Sequence, residues 1–207
     1  MPERRLKGRQ LDIVAIGASA GGVEALSGLL RHFPRQLPAA VLVVLHRPSN
    51  RTSHLRQILS RETTLPLIVP RDGETLRRGC GYIGAPDRHL IVGADLRMHL
   101  LPDHFYRGHN IDILFFSLAR HAGNRTIGVV LSGMLKDGAL GLKAIKEAGG
   151  VALVQSPQEA TFPEMPESAI RYCDAIDFVG PVHALAKEIC RLVGQDARDI
   201  ANMYHDS

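Results

Sequence analysis

The chain has no tryptophan, and aromatic residues make up only 5% of its 207 positions. Proteins that read nucleic acid interleave aromatic and basic residues along one surface. Neither an aromatic series nor a basic stripe is present here, and the formal net charge is only +4. Basic residues do gather in Met1–Arg9, MPERRLKGR. A solvated, flexible tail over residues 1–10 accounts for them, and no nucleic-acid partner is expected. Cysteine is scarce too: Cys80, Cys173 and Cys190 form an odd set with no C-x-x-C spacing. That argues against a disulfide frame and a thiolate zinc site, and suits a reducing compartment. No apolar run reaches the roughly 20 residues that cross a bilayer, so no membrane insertion is expected. The N-terminus does mimic a signal peptide, with basic residues, an apolar run and then Ala18-Ser19-Ala20. Asp12 interrupts that pattern, and cleavage there would remove a core strand, so a cytoplasmic location is expected.

Two phosphate-binding patterns are missing as well. A dinucleotide fingerprint needs G-x-G-x-x-G, and Ser19 stands where its middle glycine should be. The second strand then ends in His46 rather than an acid. A P-loop needs Gly-Lys-Ser/Thr, whereas Gly22 is followed by Val23.

What is present is a strand–helix alternation. Ile13–Ile16, Ala39–Leu45 and Thr126–Leu131 are near-continuous apolar runs, as expected of strands buried on both faces. Between and after them, apolar residues recur at helical spacing: Val23, Leu26, Leu29 and Leu30; Ile111, Leu114, Phe115 and Leu118; Val182, Leu185, Ala186, Ile189 and Val193. Gly81–Gly84, His89–Gly93 and Arg97–Leu101 alternate with turn signals and predict an antiparallel hairpin or meander. The expected fold class is α/β: a doubly wound, mostly parallel sheet with helices on both faces and a small antiparallel hairpin. One folded unit over residues 11–194 and a polar tail over 195–207 complete the organisation.

Such sheets bind ligands beyond the carboxyl ends of their strands. Three strands here lead into a reactive side chain there. Gly17-Ala18-Ser19-Ala20-Gly21 fits G-x-S-x-G, a sharp strand-to-helix turn that exposes a serine hydroxyl. A turn that merely packs, or that holds a phosphate, would use the same small residues. His46 ends the second buried strand. Asp137 lies a few residues past Thr126–Leu131, where it could equally be the N-cap of the next helix. Together a nucleophile, a base and a carboxylate form the generic Ser-His-Asp constellation. Its order, Ser-His-Asp, differs from the Ser-acid-His order of lipase-type hydrolases. No grouping of ligand residues in the sequence points to a metal or cofactor.

Several segments, in this order, resemble the catalytic domain of the chemotaxis protein-glutamate methylesterase family, CheB-type. They are IGASAGG (Ile16–Gly22), His46 with Pro48, GAPDRHL (Gly84–Leu90), IDILFFSLA (Ile111–Ala119), LSGMLKDGALGL (Leu131–Leu142), AGG (Ala148–Gly150) and MPESAI (Met165–Ile170). The resemblance spans Leu11 to about Val193. It implies a serine esterase that removes methyl groups from glutamates of chemoreceptors and, in many members, deamidates receptor glutamines. By motif, Ser19 is the nucleophile, His46 the general base, Asp137 its orienting carboxylate, and Met134 the position whose backbone N–H faces the oxyanion. The implied partners are the cytoplasmic helices of methylated chemoreceptors, with a separate methyltransferase or receiver protein beside them.

Departures from the family pattern mark the substrate loops. Ala20 stands where Thr is usual, Arg47 where many relatives carry Met, and Glu164 before Met165 where Gly is common. Ala20, Arg47 and Met165 are therefore the candidate substrate-loop residues. Only about ten residues precede the first strand, leaving no room for the receiver domain that typically precedes this domain. Two alternatives remain: an esterase or amidase of the same mechanism acting on another protein or a small ester, and a non-catalytic receptor-docking module.

Overall fold

β1 (Asp12–Ala18) lies at the centre of a seven-stranded sheet, and its position follows from its burial. Ile13 through Ala18 are all buried. The computed structural model describes residues 12–47, 54–102 and 108–194. The two tails, and Pro48, Ser49 and Asn50 of the loop after His46, lie outside the described residues.

The sheet order is β3 (Leu67–Ile68), β4 (Cys80–Ile83), β2 (Ala39–Leu45), β1, β7 (Thr126–Val130), β8 (Val151–Gln155), β9 (Phe178–Gly180), and every pairing is parallel. Side chains alternate between faces, so one strand feeds two cores. Val14, Ile16 and Ala18 pack with α1 (Gly22–Leu30), α2 (Leu55–Leu59) and α6 (Val182–Leu192). Ile13 and Ala15 face the opposite way. Their core includes α3 (Asn110–His121), α4 (Ala139–Glu147) and α5 (Glu164–Tyr172). Burying both faces explains why β2 reads AAVLVVL, with all seven residues buried and no polar interruption.

Of the two expected antiparallel forms, hairpin or meander, the protein has the hairpin. The antiparallel unit is only a hairpin, β5 (Arg88–Val92) with β6 (Met98–Pro102). The segment expected to precede it in a meander is β4, which instead lies parallel between β2 and β3. Tyr82 and Ile83 are buried there, and both neighbouring edges supply ladder partners. Short local turns had suggested hairpin pairing; burial on both faces favours the main sheet.

The chain leaves β1 toward β2 and β4, then returns through α3 to β7 on the other side of β1. Loops after β1 and β7 therefore diverge, and the crevice between them is the switch point where open α/β sheets bind ligands.

Candidate active site

Ser19 follows β1 at that crevice. Its N–H donates to Ser132 O at 3.0 Å, and its own carbonyl accepts Gly22 N–H at 2.9 Å. The chain then passes through Gly21, at φ 68°, a left-handed conformation that glycine adopts without Cβ strain. A Cβ on Gly21 would also lie 2.8 Å from Ser132 Oγ. The turn is thus both tight and crowded, which keeps Ser19 half-buried at the start of α1.

His46 is Ser19's neighbour by register. Ala18 pairs with Leu45, and His46 N–H donates to Ala18 O at 3.1 Å. Adjacent strands run about 5 Å apart, so residues 19 and 46 emerge side by side on one rim. His46 Nε2 lies 2.7 Å from Asp137 Oδ2. That separation is a hydrogen-bonding distance, yet Nε2 is screened from solvent and counts no properly directed partner. The contact is therefore an ion-pair distance with the ring turned off the ideal hydrogen-bond line.

Asp137 is 4% exposed, and its environment corrects one alternative. It does not cap the helix that follows; Gly138 occupies that N-cap position. Its carboxylate instead receives the first N–H groups of α3, from Ile111 to Oδ2 at 2.8 Å and from Asp112 to Oδ1 at 2.9 Å. Asp112 returns the favour across the helix pair, accepting Gly141 N–H of α4 at 2.7 Å. The two N-termini are therefore cross-capped by carboxylates, each compensating otherwise unpaired donors. Burial, with the Asp137 charge as a further cause, raises the Asp112 pKa above the ordinary carboxylate value.

With His109, these two acids bring three potential ligand atoms within 4.8 Å of one another. Residue spacing gave no hint of that cluster. Both Asp137 oxygens and Asp112 Oδ1 already accept backbone N–H groups, so helix capping explains the gathering.

Met134 sits in the turn after β7, 47% exposed, and its N–H has no acceptor among the described residues. Gly133 beside it is packed without clearance: a Cβ there would lie 2.0 Å from Met165 Sδ and 2.9 Å from Ser19 Cβ. This contact corrects the expectation for Met165. It is fully buried beneath the turn, a packing residue rather than a substrate-facing one. Ala20 stays at the site, with its carbonyl accepting the Ser132 hydroxyl at 2.9 Å. Arg47 swings sideways, and its Nη2 donates to Gly84 O just past β4. Its Nε and Nη1 are buried without an acceptor, and burial lowers the guanidinium pKa.

Ser132 and Gln155 carried no sequence signal, yet they tie the site together. Ser132 Oγ accepts Phe162 N–H at 3.0 Å, while Ser132 N–H donates to Gln155 Oε1 at 2.8 Å. Gln155 Nε2 in turn donates to Glu159 at 2.8 Å. A cavity of about 590 Å³ opens beside His46 and Asp137, lined also by Leu135, Lys136, Glu167 and Arg171.

The rim at the switch point of this parallel sheet thus carries Ser19, His46 and the buried Asp137 carboxylate. The CheB methylesterase family model matches residues 14–189, and the chain belongs to that family. Two relatives are a protein-glutamate methylesterase/protein-glutamine glutaminase 1 of Bordetella avium and a number 2 of Methanosarcina mazei. They are 33% and 34% identical, over 92% and 88% of this chain and 56% and 52% of theirs. The chain thus spans about half the length of the curated relatives it matches. The crystal structure of the Thermotoga maritima CheB methylesterase catalytic domain superposes with a TM-score of 0.82 at 29% identity. That match covers 88% of this chain and 99% of that one.

Proposed function

We propose that this chain is a serine esterase that hydrolyses glutamate methyl esters on chemoreceptor proteins. The observation that carries the proposal is the His46–Asp137 contact of 2.7 Å on the rim where Ser19 emerges from the neighbouring strand. The names of its relatives supply the substrate class.

In this reading Ser19 Oγ attacks the ester carbonyl while His46 takes its proton. With Nε2 against Asp137, Nδ1 is the ring nitrogen left for that task. Asp137 stabilises the imidazolium and holds the ring. The tetrahedral intermediate carries its negative charge toward the unpaired Met134 N–H. Collapse expels methanol, protonated by His46, and leaves an acyl-serine. Water, deprotonated by His46, then releases the glutamate carboxylate. A glutamine amide would follow the same route with ammonia as leaving group.

Methylated receptor helices are cytoplasmic in this scheme, and the enzyme would work there, alongside a separate methyltransferase or receiver protein. No helix among the described residues is long and apolar enough to cross a membrane. Methanol release from methylated receptor membranes tests the proposal. Ser19→Ala should abolish it while leaving the circular dichroism unchanged; near-normal release from the folded variant refutes the serine mechanism.

The Arg47 side chain favours a second reading, an esterase or amidase of the same mechanism on another substrate. A half-buried guanidinium beside the base reshapes the rim on the β4 side. Comparing rates on methylated receptor and on a small neutral ester separates the two. A receptor-docking module without catalysis is separated by phosphonate labelling, which should modify Ser19 only in an active site.

A further inference from the structure

Leu135, two residues before Asp137, departs from two ordinary rules at once. Its φ is 68°, a left-handed conformation that a bulky residue rarely adopts. The residue is also 74% exposed, so no apolar packing compensates for that backbone. A single exposed leucine needs no explanation. A leucine held outward by a strained backbone does, because such strain gathers where proteins bind or react.

The conformation is held from outside the turn. Leu135 N–H donates to Glu164 Oε2 at 2.9 Å, and Leu135 O accepts the Ser168 hydroxyl at 3.3 Å. Glu164 and Ser168 are four residues apart, hence on one face of α5. Just before them in the turn, Gly133 N–H donates to Phe162 O at 2.9 Å, and Met165 N–H donates to Gly133 O at 3.0 Å. Both backbone groups of Leu135 are thus engaged, and only its side chain is left over. That side chain lines the cavity beside His46 and Asp137. A substrate presented to His46 enters this cavity, so the substrate itself is the group that Leu135 can meet.

We propose that Leu135 is a specificity residue: its exposed side chain packs against an apolar side chain of the substrate helix, one turn from the esterified glutamate. The proposal rests on the methylesterase reading of the site. A leucine side chain has no hydrogen-bonding group, so the partner it selects is apolar. On a helix, residues three or four positions from the ester share its face and reach the cavity with it. Covering most of a leucine side chain corresponds to a preference of about tenfold. Such packing is the same in the ground state and the transition state, so it acts through KM and leaves kcat nearly unchanged.

The test uses two helical peptides, each carrying one glutamate γ-methyl ester. Four residues before and after the ester, one peptide has leucine and the other serine. Methanol release is measured for the full chain and for Leu135→Gly, Leu135→Asn and Leu135→Met. Glycine and asparagine both tolerate a left-handed backbone, and asparagine keeps roughly the size of leucine. Methionine keeps an apolar side chain of similar volume. Wild type and Leu135→Met should prefer the leucine peptide by about tenfold in kcat/KM, chiefly through KM. In Leu135→Gly and Leu135→Asn the ratio should fall to within about twofold of unity. A ratio of two substrates is not moved by a general loss of catalysis in a loosened turn. Both variants should melt at or above the wild-type temperature, since neither strains the backbone.

A wild-type ratio near unity overturns the proposal, as does a full preference that survives in Leu135→Gly or Leu135→Asn. A preference carried by kcat alone overturns it too, since packing of the bound helix would then not be its source. Melting well below wild type in both variants would make Leu135 a residue of the fold and overturn it as well. Release that survives Ser19→Ala, or no release from either peptide, refutes the methylesterase reading, and the proposal falls with it. Release that requires Ser19 but shows no preference refutes the proposal alone.

Discussion

Replacing Asp137 by asparagine should damage the protein twice, and the two losses can be measured apart. Asp137 accepts Ile111 N–H at 2.8 Å and Asp112 N–H at 2.9 Å, and it is 4% exposed. Hydrogen bonds to a charged group contribute about 1.5–3 kcal/mol each, against about 0.5–1.5 for neutral ones. Asparagine keeps one acceptor oxygen. Its NH₂ must then face the other backbone N–H, donor against donor. The net cost is about 2–4 kcal/mol, one bond weakened and one replaced by an unpaired buried donor. For a domain of this size each kcal/mol lowers Tm by about 2–4 °C, so Tm should fall by roughly 4–16 °C. Activity should drop by something on the order of 10⁴ at a temperature where the variant is fully folded. The amide can hold the wrong histidine tautomer and cannot stabilise an imidazolium. Urea unfolding gives the first number and ester turnover the second. A variant within about 0.5 kcal/mol of wild type would refute the capping role, and a folded variant with ordinary turnover would refute the catalytic one.

Three further outcomes are expected. Gly133→Ala should destabilise the fold by about 1–3 kcal/mol through overpacking, because its Cβ would meet Met165 Sδ at 2.0 Å and Ser19 Cβ at 2.9 Å; ester turnover should fall with it, and full activity would contradict the packing. Burial raises the Asp112 pKa in the folded state, so the folded protein keeps that proton to higher pH than the unfolded chain does. The stability of wild type relative to Asp112→Asn should therefore decline as pH rises from about 4 to 7, and a difference that grows over that range in urea titrations would refute the argument. Burial also pushes the Cys190 thiol up to about 11 and raises Cys173. At pH near 8 an aromatic disulfide reagent should titrate only Cys80 in the native protein and all three thiols in denaturant; rapid reaction of Cys190 in the native state would show that its burial is not maintained.

Much of the fold could be read from apolar periodicity, because a parallel sheet covered on both faces writes its burial directly into the chain. Ala39–Leu45 coincides with β2 residue for residue. Ser19 and His46 were legible for a related reason: each follows a buried strand, and parallel strands deliver their ends to one rim. Pairing was less legible. Turn signals around residues 81–101 look the same whether the first strand joins a meander or the main sheet, and only long-range burial of Tyr82 and Ile83 decides. What residue order alone determined is therefore the alternation of elements and the rim they share. Tertiary structure alone decided which donors each polar group meets. It gave Asp137 to the N-terminus of α3 rather than α4, buried Met165 under Gly133, and made Ser132 and Gln155 a bridge between loops. Hydrogen bonds between residues 23 to 30 positions apart leave no periodic trace in a sequence, because only the packed elements bring their partners within reach.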